Sequence, residues 1–540
     1  MTTESTDTIT ASGNATAQSN SESKDYSKAS ATVRRIGDLS ESSSVDDDKL
    51  FHDEFDPVYL AKSKVLSDAI QHIGMGKYQW ELFVVAGFGW MADNLWPIVT
   101  SLIYPQVIME YPPPGGHGPF IQLAQNLGLL AGAVFWSFSA DIIGRRWAFN
   151  ITFFISGLWG VVAGSSPNFA SVAVFDALWS FGVGGNLPVD SAIFLEVLPA
   201  SHQYLLTVMS IWWAFGQLLT TLIAWGLVGN YSCESADNCT KSSNMGWRYL
   251  LFTMGGISLI CFLIRFAFFR LYESPKFYLS RGKDELAVEV VHKIAAKNGK
   301  TSDLSIEQLR VFDNDTDSEG YDRPATTLFQ QRIEKFNLDH IRQVFGTKKL
   351  AFSSSLVILI WAIIGLAFPL YNQFIPYFLQ QRGSANEPQS TYITYRNTLI
   401  IAVLGVPGAL IAGLLVELRS GRKGALSLAT VLTGVFLFGS TTARTSNALL
   451  GWNCAYNFTS NIMYGVLYAY TPEIFPARVR GTAIGLAASA NRILGVFSPI
   501  IAMYADLTTS APIYASGALF LASGLLVLIL PYEPRGKSSL

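Results

Sequence analysis

From Trp80 onward the chain alternates long apolar runs with short polar turns. Crossing roughly 30 Å of hydrocarbon takes about 20 helical residues, and runs of about that length fall at 82–106, 119–140, 147–166, 169–194, 205–229, 249–271, 350–378, 397–418, 424–442, 447–470, 482–504 and 511–531. The pattern predicts twelve spanning helices in two sets of six. Between the sets, 272–348 is polar: KDELAVEVVHKIAAKNGK predicts an amphipathic helix and DNDTDSEGYDRP a loop. Residues 1–77 are Ser-rich and acidic, lack the apolar core a cleaved signal peptide needs, and predict a disordered tail. The expected organisation is that tail, a six-helix bundle at 78–271, a linker at 272–348, a second six-helix bundle at 349–531 and a short tail at 532–540.

Composition supports a membrane protein. Half the residues (50%) are hydrophobic and 14% charged, against roughly 25% charged in a soluble domain. A net charge of -2 leaves no basic field for nucleic acid. With an even number of spans and a cytosolic tail, both termini are expected in the cytosol. Arg145, Arg146, Arg419, Arg422, Lys423, Arg478 and Arg480 then face inward, against Lys241, Arg248, Arg382, Arg396 and Arg444 outside, a bias of the expected sign once the linker is added. The same topology puts Cys233 and Cys239 in an outer loop, YSCESADNCTKSS, where an oxidising environment favours a disulfide; the overlapping sequon at Asn238 sits close to the bilayer for glycosylation. Cys261 and Cys454 lie in apolar runs and the histidines are scattered, so no metal site is implied. No nucleophile and base are spaced for catalysis, so no enzyme, catalytic residue or cofactor is expected.

One turn recurs. SFSADIIGRRW at 137–147 and GLLVELRSGRKG at 413–424 each join two helices through an acid, a glycine and paired cations. An acid at a helix C-terminus opposes the dipole unless cations neutralise it, and glycine allows the tight turn. Its return at the same place in both halves marks a duplicated six-helix unit.

These turns resemble the major facilitator superfamily motif Gly-x-x-x-Asp-x-x-Gly-Arg-Lys/Arg. Asp141, Gly144, Arg145 and Arg146 match it, with Ser137 at the first glycine; Gly413, Glu417, Gly421, Arg422 and Lys423 form the second copy, with one extra residue between acid and glycine. YTPEIFPARVRGTA resembles the family's Pro-Glu-x-x-Pro-x-x-x-Arg-Gly through Pro472, Glu473, Pro476, Arg480 and Gly481, while FLEVLPASHQYLL offers Glu196 and Pro199 without the arginine. YESPKFYLSRGK and LPYEPRGK resemble two further family motifs. GFGWMADNLWPIVTSLIYP and FGVGGNLPVD look most like the branch of synaptic-vesicle-protein-like and aromatic-acid:proton symporters, although Asp176 stands where that branch carries an arginine.

The resemblance implies an all-α membrane protein with twelve transmembrane helices in two pseudo-symmetric bundles. It implies a secondary active transporter moving a small polar organic solute, a carboxylate or sugar, by alternating access with proton symport, as a plasma-membrane monomer. Proton antiport export, or a non-transporting sensor or trafficking receptor, are the alternatives. Gating falls to Asp141, Gly144, Arg145, Arg146, Asp190 and Glu196 in the first half and to Glu417, Gly421, Arg422, Lys423, Glu473 and Arg480 in the second, with Asp190 and Glu196 within reach of Arg145 and Arg146.

Charges within the spans are costly and by default functional. Asp93 and Arg492 each lie about eleven residues into a span entered from the cytosol, roughly 16 Å deep. Asp93 is the expected protonation site, and Arg492 a counter-charge for Asp93 or for an anionic solute. Asp176 and Arg265 are expected to be shallower and structural. Amides and aromatics on the cavity-lining helices, Asn94, Gln125, Asn126, Trp213, Gln217, Tyr371, Asn372, Gln373 and Asn491, complete the expected solute contacts.

Overall fold

A computed structural model of the chain describes residues 57–199, 202, 205–237, 239–279, 281–313, 342, 344–382, 389–415, 421–475, 480–505, 507 and 509–531. Twelve helices follow the expected runs: α1 (Lys77–Glu110), α2 (Phe120–Ile143), α3 (Arg145–Ala163), α4 (Phe169–Val197), α5 (Ile211–Leu227), α6 (Gly246–Leu263), α7 (Lys348–Asn372), α8 (Thr391–Leu415), α9 (Gly421–Ser440), α10 (Ser446–Ile474), α11 (Arg480–Tyr504) and α12 (Ala511–Ile529). Nine of the described helices are long and apolar enough to cross a membrane; α3, α5 and α10 fill the remaining expected positions without meeting that measure. Among the described residues there is no strand.

The helix starts follow local chemistry. Asn168 caps α4 by accepting from the Ser171 amide, with the Ser171 hydroxyl answering the Asn168 amide; Thr347 and Thr445 cap α7 and α10 with single bonds of 3.3 and 3.2 Å. Prolines sit inside α1, α4, α7, α8 and α11, tolerated because neighbouring helices can satisfy the freed carbonyls.

The packing map repeats with an offset of six helices. In the first half α2 and α3 pack on α4, α3 on α6, and α1 on α5; in the second, α8 and α9 pack on α10, α9 on α12, and α7 on α11. Close approach uses glycine in both halves. A side chain at Gly128 or Gly132 of α2 would overlap the α4 backbone at Ala177 or Phe181, and one at Gly408 of α8 the α10 backbone at Phe458. Across the halves, α5 packs on α8 and α2 on α11, again related by six.

The described residues form two compact units. In the smaller, within 1–65 and 307–318, Lys62 pairs with Asp313 at 2.5 Å; the larger, within 66–306 and 319–540, holds all twelve helices. The expected amphipathic linker helix is present as Asp284–Lys297, burying Ala287, Val288, Val291 and Ile294 on one face. One expectation for the tail is overturned: Pro57–Ile73 is helical, because Leu66, Ile70 and Ile73 recur at helical spacing and are buried.

Candidate transport site and gates

Asp93 lies midway along α1 and Arg492 midway along α11, and they meet: Arg492 Nη2 stands 3.1 Å from Asp93 Oδ1. This contact joins the first six helices to the last six. Both groups keep some water access, at 15% and 22% side-chain exposure, so the pair can respond to a proton or a solute. On its flank the Asn94 amide donates to the Trp213 carbonyl at 2.9 Å, and the Trp213 ring lies 4.8 Å from Tyr468 of α10. Trp361 of α7 is also 4.8 Å from Tyr468, with its indole N–H donating to the Thr471 hydroxyl at 2.9 Å. Trp90 also packs on Trp213, with ring centres 4.9 Å apart. A charged pair beside aromatic faces offers both a counter-ion and flat apolar contact.

A second group of amides ties the halves toward the C-terminal end of α1. Gln373 Nε2 donates to Asn126 Oδ1 at 3.0 Å and to Gln125 Oε1 at 3.4 Å, while Asn126 Nδ2 donates to the Gly495 carbonyl of α11 at 3.0 Å. The Ser101 hydroxyl donates to the Asn372 carbonyl at 3.3 Å, and the Tyr395 hydroxyl to the Leu102 carbonyl at 2.5 Å. Gln217 is half-buried on α5, the helix that packs on α8. Two residues expected to touch solute are placed otherwise. The Tyr371 hydroxyl donates to Asn453 Oδ1 at 2.7 Å inside the second half's core, against the Tyr456 and Phe378 rings. Asn491 Nδ2 donates to the Trp361 carbonyl at 3.1 Å, where α11 crosses α7 at Gly365.

Around the α2–α3 turn, Arg145 pairs with Glu196 of α4. Glu273, just beyond α6, accepts from the Arg145 amide at 3.0 Å and the Arg146 amide at 3.2 Å, so a carboxylate sits on the positive end of α3. Gly144 makes the approach possible: its φ is +101°, and a Cβ there would stand 2.7 Å from Glu273 Oε2. Burial, then the nearby Arg145 charge, lower the pKa of Lys276.

Asp190 does not join this group. It is fully buried and pairs with Arg265 of the π-helical end of α6, Nη2 to Oδ2, at 2.5 Å. Arg265 also donates to the Val85 and Phe149 carbonyls at 3.1 and 2.9 Å and lies over the Phe149 and Phe153 rings at 3.9 and 4.1 Å. The expectations that Asp190 reaches Arg145 or Arg146 and that Arg265 lies shallow are corrected by this geometry: Asp190 stands six residues, about 9 Å along α4, deeper than Glu196 and finds the cation at the end of α6 instead. Gly89 of α1 leaves the space, since a side chain there would overlap the Asp190 carboxylate. Gly89→Ala is therefore expected to lower stability by about 1–3 kcal/mol through overpacking at the ion pair, read as a lower thermal midpoint in detergent; an unchanged midpoint would refute the packing argument.

Asp176 is also fully buried, accepting from Thr100 at 3.0 Å and Ser180 at 3.1 Å. In the second half, Glu417 lies outside the described residues. Asp141 falls near the end of α2, Glu473 near the end of α10 and Arg480 at the start of α11, while Gly421 opens α9 with φ +66°, followed by Arg422 and Lys423. Lys423 Nζ donates to the Leu530 carbonyl at 2.7 Å. Cys233 and Cys239 are joined in a disulfide with Cα atoms 5.6 Å apart. Their loop meets the start of α8, where the Thr391 amide donates to Glu234 Oε2 at 2.9 Å and its hydroxyl to the Cys233 carbonyl at 3.1 Å. Glu273, Trp90, Trp361 and Tyr468 escaped the sequence reading; only Glu273 carried a signal, its place in the YESP turn.

A family profile described as "Sugar (and other) transporter" matches residues 120–344. The chain is 61% identical over 513 residues to an uncharacterized MFS-type transporter of Schizosaccharomyces pombe, covering 92% of both. It is 54% identical to MFS siderochrome iron transporter 1 of Ceriporiopsis subvermispora, over 91% of this chain and 94% of that protein. It is 25% identical to the niacin transporter NiaP of Acinetobacter baylyi, over 88% and 98%. The xylose transporter XylE from E. coli, in a partially occluded inward-open conformation, superposes with a TM-score of 0.62 at 17% identity, covering 85% of this chain and 100% of that one, a likeness of fold. With this fold, its repeated helix packing and relatives alike over nearly their whole length, the chain belongs to the major facilitator superfamily of multi-pass membrane transporters.

Proposed function

We propose that the protein is a proton-coupled symporter of a small polar organic solute, carboxylate or sugar-like, working by alternating access between bundles at 78–271 and 349–531. It acts as a plasma-membrane monomer with both termini in the cytosol. The observation that carries this reading is the Asp93–Arg492 pair at 3.1 Å between the two halves.

Asp93 is the proton acceptor. While it is ionised, Arg492 is its partner; when a proton neutralises Asp93, the guanidinium is released to an anionic group of the solute. Asn94 of α1 and Trp213 and Gln217 of α5, with Gln125, Asn126, Asn372 and Gln373 on the facing wall, hold the uncharged part, while Tyr371 and Asn491 support that wall from behind. Arg145, Arg146, Glu196 and Gly144 form the first-half inner gate, with Asp141 beside them; Glu417, Gly421, Arg422, Lys423, Glu473 and Arg480 form its counterpart. Asp190, locked to Arg265 behind the first-half gate, acts as a brace of that half.

The test is uptake into proteoliposomes with an imposed inward proton gradient, over a panel of carboxylates, sugars, niacin and ferric siderochromes. Accumulation of one member that collapses with a protonophore supports symport. Gradient-driven efflux instead would establish antiport, and binding by thermal shift without movement of any member would establish a sensor.

A further inference from the structure

We propose that a cavity of about 690 Å³ at the α2–α3 turn binds the headgroup of an anionic phospholipid of the cytosolic leaflet. It is lined by Arg146, Arg270, Arg281 and Lys293, with Glu273 as its one acidic lining residue. Both Glu273 oxygens already accept from the Arg145 and Arg146 amides, and Lys293 pairs with Glu289 at 2.7 Å; the three lining arginines and that lysine still outnumber the two acids. The Arg281 guanidinium lies 4.3 Å from the centre of the Phe277 ring, a cation–π contact that ties it to the cavity lining.

What selects a lipid over a soluble anion is the next cavity, of about 250 Å³, which shares Arg146 and Arg270 and runs on to Phe266 and Phe268. These two side chains are 57% and 84% exposed, and Ile143 and Trp147 on the rim of the first cavity are 48% and 56% exposed. The π-helical turn at Ile264–Phe268 splays the phenylalanines outward from the end of α6. Cations that continue into exposed aromatic and aliphatic surface match an amphiphile, with phosphate on the arginines and acyl chains along Phe266 and Phe268. The basic pocket stands where a transmembrane helix ends, the position at which anionic lipids of the inner leaflet gather.

The leaflet rests on the orientation given under Proposed function; the binding itself does not. The experiment places full-length protein in nanodiscs of phosphatidylcholine with or without phosphatidylinositol. It reads the retained lipid by native mass spectrometry and stability by thermal midpoint. One phosphatidylinositol retained through delipidation, with a raised midpoint, is expected. Arg270→Gln/Lys293→Gln should retain it about tenfold less well or worse and lose the shift, while keeping its midpoint in phosphatidylcholine. A shift that survives in that variant would overturn the site. Inositol phosphate raising the midpoint as much as the lipid would overturn the acyl contribution, and loss of the shift on removing residues 1–56 would reassign the cavity to the Ser-rich tail. A C-terminal tag reached by antibody on intact cells would overturn the leaflet and the orientation together, leaving lipid retention to be judged by the variant alone.

Discussion

Arg265→Leu is expected to destabilise the protein by about 3–5 kcal/mol, the cost of stranding one member of a buried ion pair. The substitution removes the cation of the 2.5 Å Asp190 bridge and strips the Val85 and Phe149 carbonyls of their guanidinium donor. Asp190 would remain fully buried on α4 with its cation gone. The measurement is thermal unfolding in detergent of the single variants and of Asp190→Leu/Arg265→Leu. Because paired hydrophobic replacement relieves the stranded charge, the double variant should recover most of the loss. Additive losses would show that the two residues act independently and would refute the pairing as the brace of the first half.

Asp93→Asn has the largest expected effect on transport. With one proton moved per solute, a pH difference of one unit supports about tenfold accumulation. The variant should lose that dependence, its internal concentration settling at the external one, while solute counterflow continues because an amide can still face Arg492. Its thermal midpoint should move little, since the pair is partly wetted and no sealed charge is left behind. Accumulation that follows the pH gradient as in the wild type would remove Asp93 from the coupling role.

The helices were legible because each needs a long apolar run and the runs are separated by turns with glycine and paired charge. The expected 511–531 and 482–504 nearly coincide with Ala511–Ile529 and Arg480–Tyr504. Pro57–Ile73 was missed because three apolar residues spaced along a polar helix give a weak signal inside a Ser-rich segment. The meeting of Asp93 and Arg492 followed from equal depth in two helices that start on the same side. The partner of Asp190 did not, since depth alone cannot say which cation faces a carboxylate across a bundle. Arg265, 75 residues away, lies on a helix that packs on α3, and only that packing brings the two together. The aromatic cluster of Trp90, Trp361 and Tyr468 beside the pair was hidden for another reason: within a membrane span, a ring facing the protein interior and a ring facing lipid read alike.

The 3.1 Å pair between α1 and α11 also bears on voltage. On the proposed reading, the loaded crossing carries neutralised Asp93 with the anion on Arg492, and the empty return carries ionised Asp93 paired again with Arg492. Neither form changes the sum of charge at the centre, so a monocarboxylate carried with one proton would make an electroneutral cycle, driven by acidity outside and indifferent to the membrane potential. A neutral sugar on the same scaffold would instead carry current.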